Sequence, residues 1–147
     1  MFSLNTILLH CEAKDKDTVI QTIADHAVKI GLVSDAKAYV ASVQHRESEF
    51  STGVGYGIAI PHGKTEAVNT AFVIYAKVNN VEWNSFDGAP VDLVFQIGVP
   101  ASDAGETHLR LLATLSRKLM KEEFREAIRN AKDEQAVLDV FAAFELV

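Results

Sequence analysis

Residues 91–99, Val-Asp-Leu-Val-Phe-Gln-Ile-Gly-Val, lie between Pro90 and Pro100 and are apolar at nearly every position. A strand that is buried on one face alternates apolar and polar residues, whereas a strand that is covered on both faces is apolar almost throughout. We therefore predict that residues 91–99 form a strand inside a sheet, with other layers packed on both of its faces.

Two further strands are predicted before this one. Residues 71–78 are rich in β-branched and aromatic side chains and are predicted to be a strand. The turn-forming residues 79–90 connect this strand to the strand over residues 91–99, which indicates a hairpin. A shorter apolar strand over residues 57–60 stops at Pro61. Residues 48–57 contain two serines, a threonine and three glycines and are predicted to be a loop. We expect a mixed sheet.

Helical spacing of apolar residues marks most of the remaining chain. The first predicted helix spans residues 17–30 and ends at Gly31, and the second begins at its N-cap Ser34 and runs to about Arg46. Three more helices follow: one capped by Thr107, one over residues 121–131, and a last one capped by Asp133. No repeat or flexible linker interrupts the pattern. The predicted fold is therefore α/β (α+β-like): a single domain, residues 1–147, with a mixed β-sheet flanked by helices on both faces.

Composition excludes several classes of protein. The formal net charge of -6 argues against a nucleic-acid-binding protein, which needs a basic surface. The single cysteine, Cys11, builds no disulfide framework and fits a reducing compartment. The N-terminus does not resemble a signal peptide, and no apolar stretch approaches the length of a membrane span. We expect a cytoplasmic protein with no nucleic-acid partner and no direct membrane insertion.

His62 is the first candidate for chemistry. It follows a predicted buried strand and Pro61 and precedes Gly63, and strand ends in open sheets are where ligands meet the protein. Pro61 restricts the backbone before the ring, and Gly63 adds no side chain after it, so we expect an incoming group to approach the ring closely. The alternative is a structural histidine at a strand end, and local sequence does not decide between the two.

Two other positions could bind an anion. His108 would lie in the first turn of the third helix, where free amides and the helix dipole attract negative charge. Arg46 precedes a loop with the hydroxyls of Ser48, Ser51 and Thr52, and its planar fork of donors matches phosphate geometry. The alternatives are an ordinary residue in a helical turn and a solvated helix end.

Other known motifs are missing. The alternating glycines of residues 53–57 do not fit a dinucleotide-binding loop or a P-loop, and no histidine pair has the spacing of a helical zinc site. We therefore predict neither a cofactor nor a metal. The remaining histidines, His10, His26 and His45, are interpreted as a partly buried ring, a surface ring and a cation at a helix end.

The chain resembles a known family in several blocks that occur in the same order. They are Arg46-Glu47, Gly57-Ile58-Ala59-Ile60-Pro61-His62-Gly63, Asp87-Gly88-Ala89-Pro90-Val91-Asp92-Leu93-Val94-Phe95 and Thr107-His108-Leu109. They are similar to the enzyme IIA domains of the fructose/mannitol class of the bacterial phosphotransferase system, a group that includes the nitrogen-regulatory IIA proteins. The resemblance covers nearly the whole chain.

That resemblance implies a phosphotransferase that works through a phosphohistidine. His62 would be phosphorylated, and His108 and Arg46 would be the other active-site residues. The donor would be the histidine phosphocarrier protein, which is charged from phosphoenolpyruvate, and the acceptor would be a IIB component for uptake of a fructose- or mannitol-like sugar. The alternative is a nitrogen-regulatory IIA protein, whose phosphorylation state controls binding to regulatory partners. Neutral imidazole is a competent nucleophile near pH 7, in accord with this reading.

Overall fold

A mixed sheet forms the centre of the computed structural model, which describes residues 2–103 and 105–146. The strand order is β1-β5-β6-β3-β2, and β4 pairs with β6 next to β3. The strands of the described residues are β1 (Ile7–Leu8), β2 (Gly53–Gly55), β3 (Ile58–Ala59), β4 (His62–Thr65), β5 (Phe72–Val81) and β6 (Val91–Pro100).

The hairpin of β5 and β6 is the core of the sheet, as predicted. Its strands are antiparallel, with Tyr75 opposite Phe95 and Ala76 opposite Val94. On its other side β6 pairs in parallel with β3 and β4, so it lies inside the sheet along its length. This placement explains why residues 91–99 are apolar almost throughout, because both faces of the strand are covered.

Helices cover both faces, which confirms the predicted fold class. They are α1 (Lys16–Lys29), α2 (Ala36–Glu49), α3 (Glu106–Leu119), α4 (Glu122–Asn130) and α5 (Glu134–Ala143). Alternate residues of β5 point to opposite faces: Phe72 and Ile74 belong to one apolar core with α1 and α2, and Val73 and Tyr75 to another with α3, α4 and α5. Within residues 2–103 and 105–146, no helix is both long enough and apolar enough to cross a membrane.

Two of the three predicted helix caps are wrong. Asp133 caps α5 as predicted, because its carboxylate accepts a hydrogen bond from a free backbone amide of the first turn. The N-cap of α2 is Asp35, whereas the neighbouring Ser34 donates to a backbone carbonyl outside the helix. The N-cap of α3 is Gly105 with a φ of 93°, and Thr107 lies inside the helix. The first error is a shift of one residue between adjacent side chains that can both cap, and the second is a shift of two residues.

The segment between α2 and β5 is more regular than its sequence suggests. The helix α2 continues to Glu49, so Ser48 is helical and Arg46 lies in the last helical turn. The predicted loop contains β2, which pairs with β3. His62 does not merely follow a strand: it begins β4, which is separated from β3 by Ile60 and Pro61. Strands β3 and β4 are both parallel to β6. This pairing makes residues 62–65 a strand although their sequence has no strand pattern.

Candidate functional site

Pairing with the centre of the sheet fixes the backbone around His62. His62 is opposite Ile97 in β6, whose N–H donates to the carbonyl of Pro61 over 2.9 Å. The carbonyl of Ile97 accepts from the buried hydroxyl of Tyr39 in α2 over 2.8 Å. The imidazole is only 9% exposed. The candidate nucleophile is therefore held by the sheet and by α2 together.

One hydrogen bond determines which nitrogen of the His62 ring carries a proton. Nδ1 lies 2.9 Å from the carbonyl oxygen of Ile60, two residues earlier. A carbonyl oxygen can only accept a hydrogen bond, so Nδ1 is the donor. In the neutral ring the lone pair is then on Nε2, which makes Nε2 the nucleophilic atom.

The surroundings also keep the ring neutral. The pKa of His62 is lowered from its ordinary value, chiefly because burial penalises the charged form. The hydrogen bond to the Ile60 carbonyl raises the pKa, the charge of Arg46 lowers it, and the charge of Glu47 raises it, each by less than burial lowers it. An imidazole with a lowered pKa is available as a nucleophile at pH 7.

Arg46, another predicted site residue, lies in the last turn of α2. Its guanidinium is near enough for its charge to act on the ring of His62. One terminal nitrogen donates to the carbonyl of Phe50 over 2.8 Å, and the guanidinium carbon lies 4.4 Å from the centre of the Phe50 ring. These contacts place a half-buried cation at the end of α2, where it can meet an anionic group on the histidine.

The hydroxyls that follow Arg46 in the sequence have hydrogen-bond partners within the protein. Ser48 donates to the carbonyl of His45 over 2.6 Å, inside α2. Ser51 donates to the carbonyl of Trp83 over 2.5 Å. Thr52 donates to a carboxylate oxygen of Glu47. In this structure the Ser48 hydroxyl is thus bonded within α2, and those of Ser51 and Thr52 connect the loop to Trp83 and Glu47.

Gly63 has a different role from the one expected. An ideal Cβ at this position would lie 2.9 Å from Oγ of Ser42 and 3.0 Å from Cγ2 of Val43. The space beside Gly63 is thus filled by α2 and does not open toward an incoming group. Because alternate residues of a strand point to opposite faces, the side chain of His62 leaves β4 on the face opposite the one that Ser42 and Val43 cover.

The loop before α3 is tied to the site through Lys64. Its Nζ donates to the carbonyl of Asp103 over 2.5 Å, and Oδ1 of Asp103 accepts from the backbone of Gly105 over 2.8 Å. His108 lies in the first turn of α3, as predicted, and its side chain is outside the part of the chain that the structure describes. The contact between His108 and His62 therefore stays a prediction.

Sequence reasoning missed a buried polar group behind the site. The side chain of Glu47 is 6% exposed and pairs with Lys16 of α1 over 3.2 Å. It also accepts from the backbone N–H of Thr52 over 3.2 Å, and the indole of Trp83 donates to the Thr52 hydroxyl over 3.3 Å. The adjacent pair Arg46-Glu47 was the one available signal. In the described residues, no cluster of three or more His, Cys, Asp or Glu could hold a metal.

Comparisons with known sequences agree with this geometry. Residues 1–143 match the family model described as "Phosphoenolpyruvate-dependent sugar phosphotransferase system, EIIA 2". A "PTS system fructose-specific EIIA component" of Haloferax volcanii is 41% identical over 95% of this chain and 90% of its own length. A "PTS system fructose-specific EIIABC component" of Bacillus subtilis is 40% identical over 95% of this chain, which spans only 22% of that relative. A "Nitrogen regulatory protein" of Bradyrhizobium diazoefficiens is 34% identical over 92% of this chain and 88% of its own length.

A solved structure shows the same fold. The nitrogen regulatory protein IIA-Ntr of Neisseria meningitidis superimposes with a TM-score of 0.85 at 27% identity, over 94% of each chain. The family match covers almost the whole chain and includes both short strands around His62. The chain belongs to the EIIA 2 family of the phosphoenolpyruvate-dependent sugar phosphotransferase system, as an IIA domain of the fructose/mannitol class.

Proposed function

We propose that this chain accepts a phosphoryl group on Nε2 of His62 from the histidine phosphocarrier protein and passes it to a IIB component for sugar uptake. The observation that carries the proposal is the hydrogen bond from Nδ1 of His62 to the carbonyl of Ile60. It leaves the lone pair of a buried, neutral imidazole on Nε2. The cytoplasmic location that the sequence predicts remains part of the proposal.

The transfer is a displacement at phosphorus. The Nε2 lone pair of His62 forms the new P–N bond while the P–N bond of the donor phosphohistidine breaks, with entering and leaving nitrogens in line. The electron pair of the broken bond stays on the donor ring, which leaves as neutral imidazole if its other nitrogen carries a proton. The His62 ring then holds phosphorus on Nε2 and a proton on Nδ1, and the Ile60 carbonyl stabilises its positive charge.

Two cationic or donor groups would stabilise the phosphoryl oxygens during transfer. The guanidinium of Arg46 lies beside the ring and matches the geometry of an anionic oxygen pair. His108, at the amino end of α3, would add a second donor together with the amides of that helix end. With these groups the displacement needs no metal ion as a Lewis acid.

An exposed aromatic ring lies beside the site. Phe50 is 69% exposed and its ring packs against Arg46. Exposed aromatic side chains are enriched where proteins dock. We propose that the donor and the acceptor contact Phe50 when they bring their reacting groups to His62.

The fructose-specific relatives support sugar uptake as the process that this domain serves. A second candidate is regulatory: the relatives also include a nitrogen regulatory protein, and the superimposed structure is of that kind. There, the added charge at His62 would change which partners bind. The two are separated by mixing the phosphorylated chain with IIB components of the fructose and mannitol types. Phosphoryl transfer to one of them supports sugar uptake, and no transfer to any of them supports regulation.

Intact-mass spectrometry tests the proposed acceptance step. The wild-type chain is mixed with phosphoenolpyruvate, enzyme I and the histidine phosphocarrier protein, beside the variant His62→Ala. We expect one acid-labile phosphoryl group on the wild type and none on the variant, because the variant has no nucleophile. An unmodified wild type, with donors shown to be active on another IIA domain, would refute the proposal.

A further inference from the structure

A continuous chain of hydrogen bonds leads from the helix α1 to the ring of His62. The carbonyl of Ile60 accepts a hydrogen bond from Nδ1 of His62, and the N–H of Ile60 donates to the carbonyl of Thr52 over 3.1 Å. The backbone N–H and the hydroxyl of Thr52 both donate to the carboxylate of Glu47. That carboxylate pairs with Lys16 of α1.

The Glu47 end of this chain is firmly held. The carboxylate is almost completely buried, and a buried carboxylate is tolerated only with partners for its oxygens. Here Oε1 accepts from Lys16 and from the Thr52 backbone, and Oε2 accepts from the Thr52 hydroxyl. Lys16 in turn lies 5.5 Å from the centre of the Trp83 ring, whose indole donates to the Thr52 hydroxyl. Three side chains from separate segments, Lys16, Glu47 and Trp83, therefore hold Thr52 in place.

Fixing Thr52 also fixes the carbonyl that faces the His62 ring. The N–H of Ile60 is bonded to the Thr52 carbonyl, which holds the peptide group before Ile60. Pro61 restricts the backbone after Ile60, so the orientation of the Ile60 carbonyl follows from the residues on both sides of it. A carbonyl that is held in place selects the ring tautomer with the proton on Nδ1 and sets the ring's orientation. A carbonyl free to rotate would allow the other tautomer, in which Nε2 carries the proton and has no lone pair for phosphorus.

We propose that Glu47 and Thr52 are positioning residues for phosphoryl transfer, which act on His62 through the Ile60 peptide group. The proposal rests on the proposed function of His62, and it adds how the nucleophilic nitrogen is selected. Neither residue touches the phosphoryl group in this scheme. Their contribution is to keep the Nε2 lone pair on the side of the ring that faces the incoming phosphorus.

The variant Thr52→Val tests the proposal with almost no change of side-chain volume. It removes the hydroxyl that links Glu47 and Trp83 but keeps the backbone N–H and carbonyl. The rescue variant is Thr52→Ser, which keeps a hydroxyl. The control is Thr22→Val, because the exposed hydroxyl of Thr22 donates only within its own helix, to the carbonyl of Thr18. Glu47→Gln is a second test should Thr52→Val fail to fold.

The first measurement is nitrogen-15 NMR of the histidine rings in the unphosphorylated protein above pH 8, where neutral rings predominate. We expect the Nδ1–H tautomer of His62 in the wild type, in Thr52→Ser and in Thr22→Val, and a mixture of tautomers in Thr52→Val and Glu47→Gln. The second measurement is the single-turnover rate of phosphoryl transfer. We expect roughly a 10-fold loss in Thr52→Val, with the donor KM unchanged, because a small misplacement of reacting atoms slows transfer strongly.

A folded Thr52→Val and a folded Glu47→Gln that both keep the wild-type tautomer would overturn the proposal, whatever their rates. The tautomer measurement needs no donor. If the wild-type chain accepts no phosphate, the proposed function fails, and the NMR result still decides whether Glu47 and Thr52 position the ring.

Discussion

The two sides of the site are attached to the sheet in different ways. On one side, α2 packs directly on β4: Ser42 and Val43 fill the space beside Gly63, and Tyr39 bonds to the strand opposite His62. On the other side, α3 begins after a loop that Lys64 ties to the site, and Leu109 near its start is 68% exposed. The buried anchors of α3, Leu115 and Leu119, lie in its second half.

Because of this difference, the proposed nucleophile His62 and the second histidine, His108, are held in place by different parts of the fold. His62 and Arg46 belong to the strand and helix that pack tightly together, so their geometry is set by the folded core. His108 is carried at the end of α3 that is farther from that helix's buried anchors. His62, the proposed nucleophile, and Arg46 are therefore preorganised by the core, while the position of His108 depends on the loop before α3.

The largest expected effect comes from removing the groups on either side of the phosphoryl. We expect Arg46→Ala and His108→Ala each to slow phosphoryl transfer about 10²-fold without unfolding the domain, because each removes one stabilising donor from the transition state. Single-turnover transfer from the phosphorylated donor measures this. Arg110→Ala is the control, since its exposed ion pair with Glu106 contributes little. Transfer at the wild-type rate in either site variant would remove that residue from the site.

A smaller effect is expected from forcing α2 and β4 apart. In Gly63→Ala the new methyl carbon would lie 2.9 Å from Oγ of Ser42 and 3.0 Å from Cγ2 of Val43, which is closer than van der Waals contact. We therefore expect the free energy of unfolding to fall by about 1–3 kcal/mol. Urea unfolding measures this loss. Adding Ser42→Ala to Gly63→Ala removes the closest atom and should restore part of the stability. If Gly63→Ala is as stable as the wild type, α2 is not closely packed on β4.

The smallest effect concerns pH. Burial and, to a lesser extent, the charge of Arg46 lower the pKa of His62, whereas the hydrogen bond to the Ile60 carbonyl and the charge of Glu47 raise it. Because burial has the largest effect, the ring should titrate below the ordinary pKa of about 6.5. Phosphate acceptance should therefore persist below pH 6.5. The unfolded chain binds this proton first, so the free energy of unfolding falls as pH drops below about 6.5, and it stops falling below the folded pKa.

Proton NMR of the His62 ring across pH 4–8 measures the pKa, with His62→Gln as the control for the unfolding measurements. A midpoint at or above 6.5 would contradict the account of a buried, neutral nucleophile.

Strong local patterns made much of the fold predictable. The strand over residues 91–99 was predictable because both of its faces are covered, so its sequence is apolar almost throughout. The cap Asp133 was predictable because neither adjacent residue is a favoured N-cap. Strand β4 was missed because His62, Gly63 and the polar residues after them have no apolar alternation, and only pairing with β6 makes them a strand. At α2, Ser34 and Asp35 are adjacent residues that can both cap, and the sequence does not rank them.

The sequence named candidate residues for the site but not the contacts around them. His62 and Arg46 lie in local motifs, and in the structure the charge of Arg46 acts on the His62 ring, while their roles in phosphoryl transfer stay predictions. The network of Lys16, Glu47, Thr52 and Trp83 was not predicted, because its members come from distant segments that only the folded chain brings together. For the same reason, the sequence left open whether the hydroxyl of Thr52 binds an anion, and in the structure it donates to Glu47.

Nitrogen-15 NMR of the phosphorylated protein with labelled histidines shows which ring nitrogen carries the phosphoryl group. We expect phosphorus bonded to Nε2 of His62 and a proton on Nδ1, because Nδ1 donates to the carbonyl of Ile60. Phosphorus on Nδ1 of His62, or on any other histidine, would contradict it.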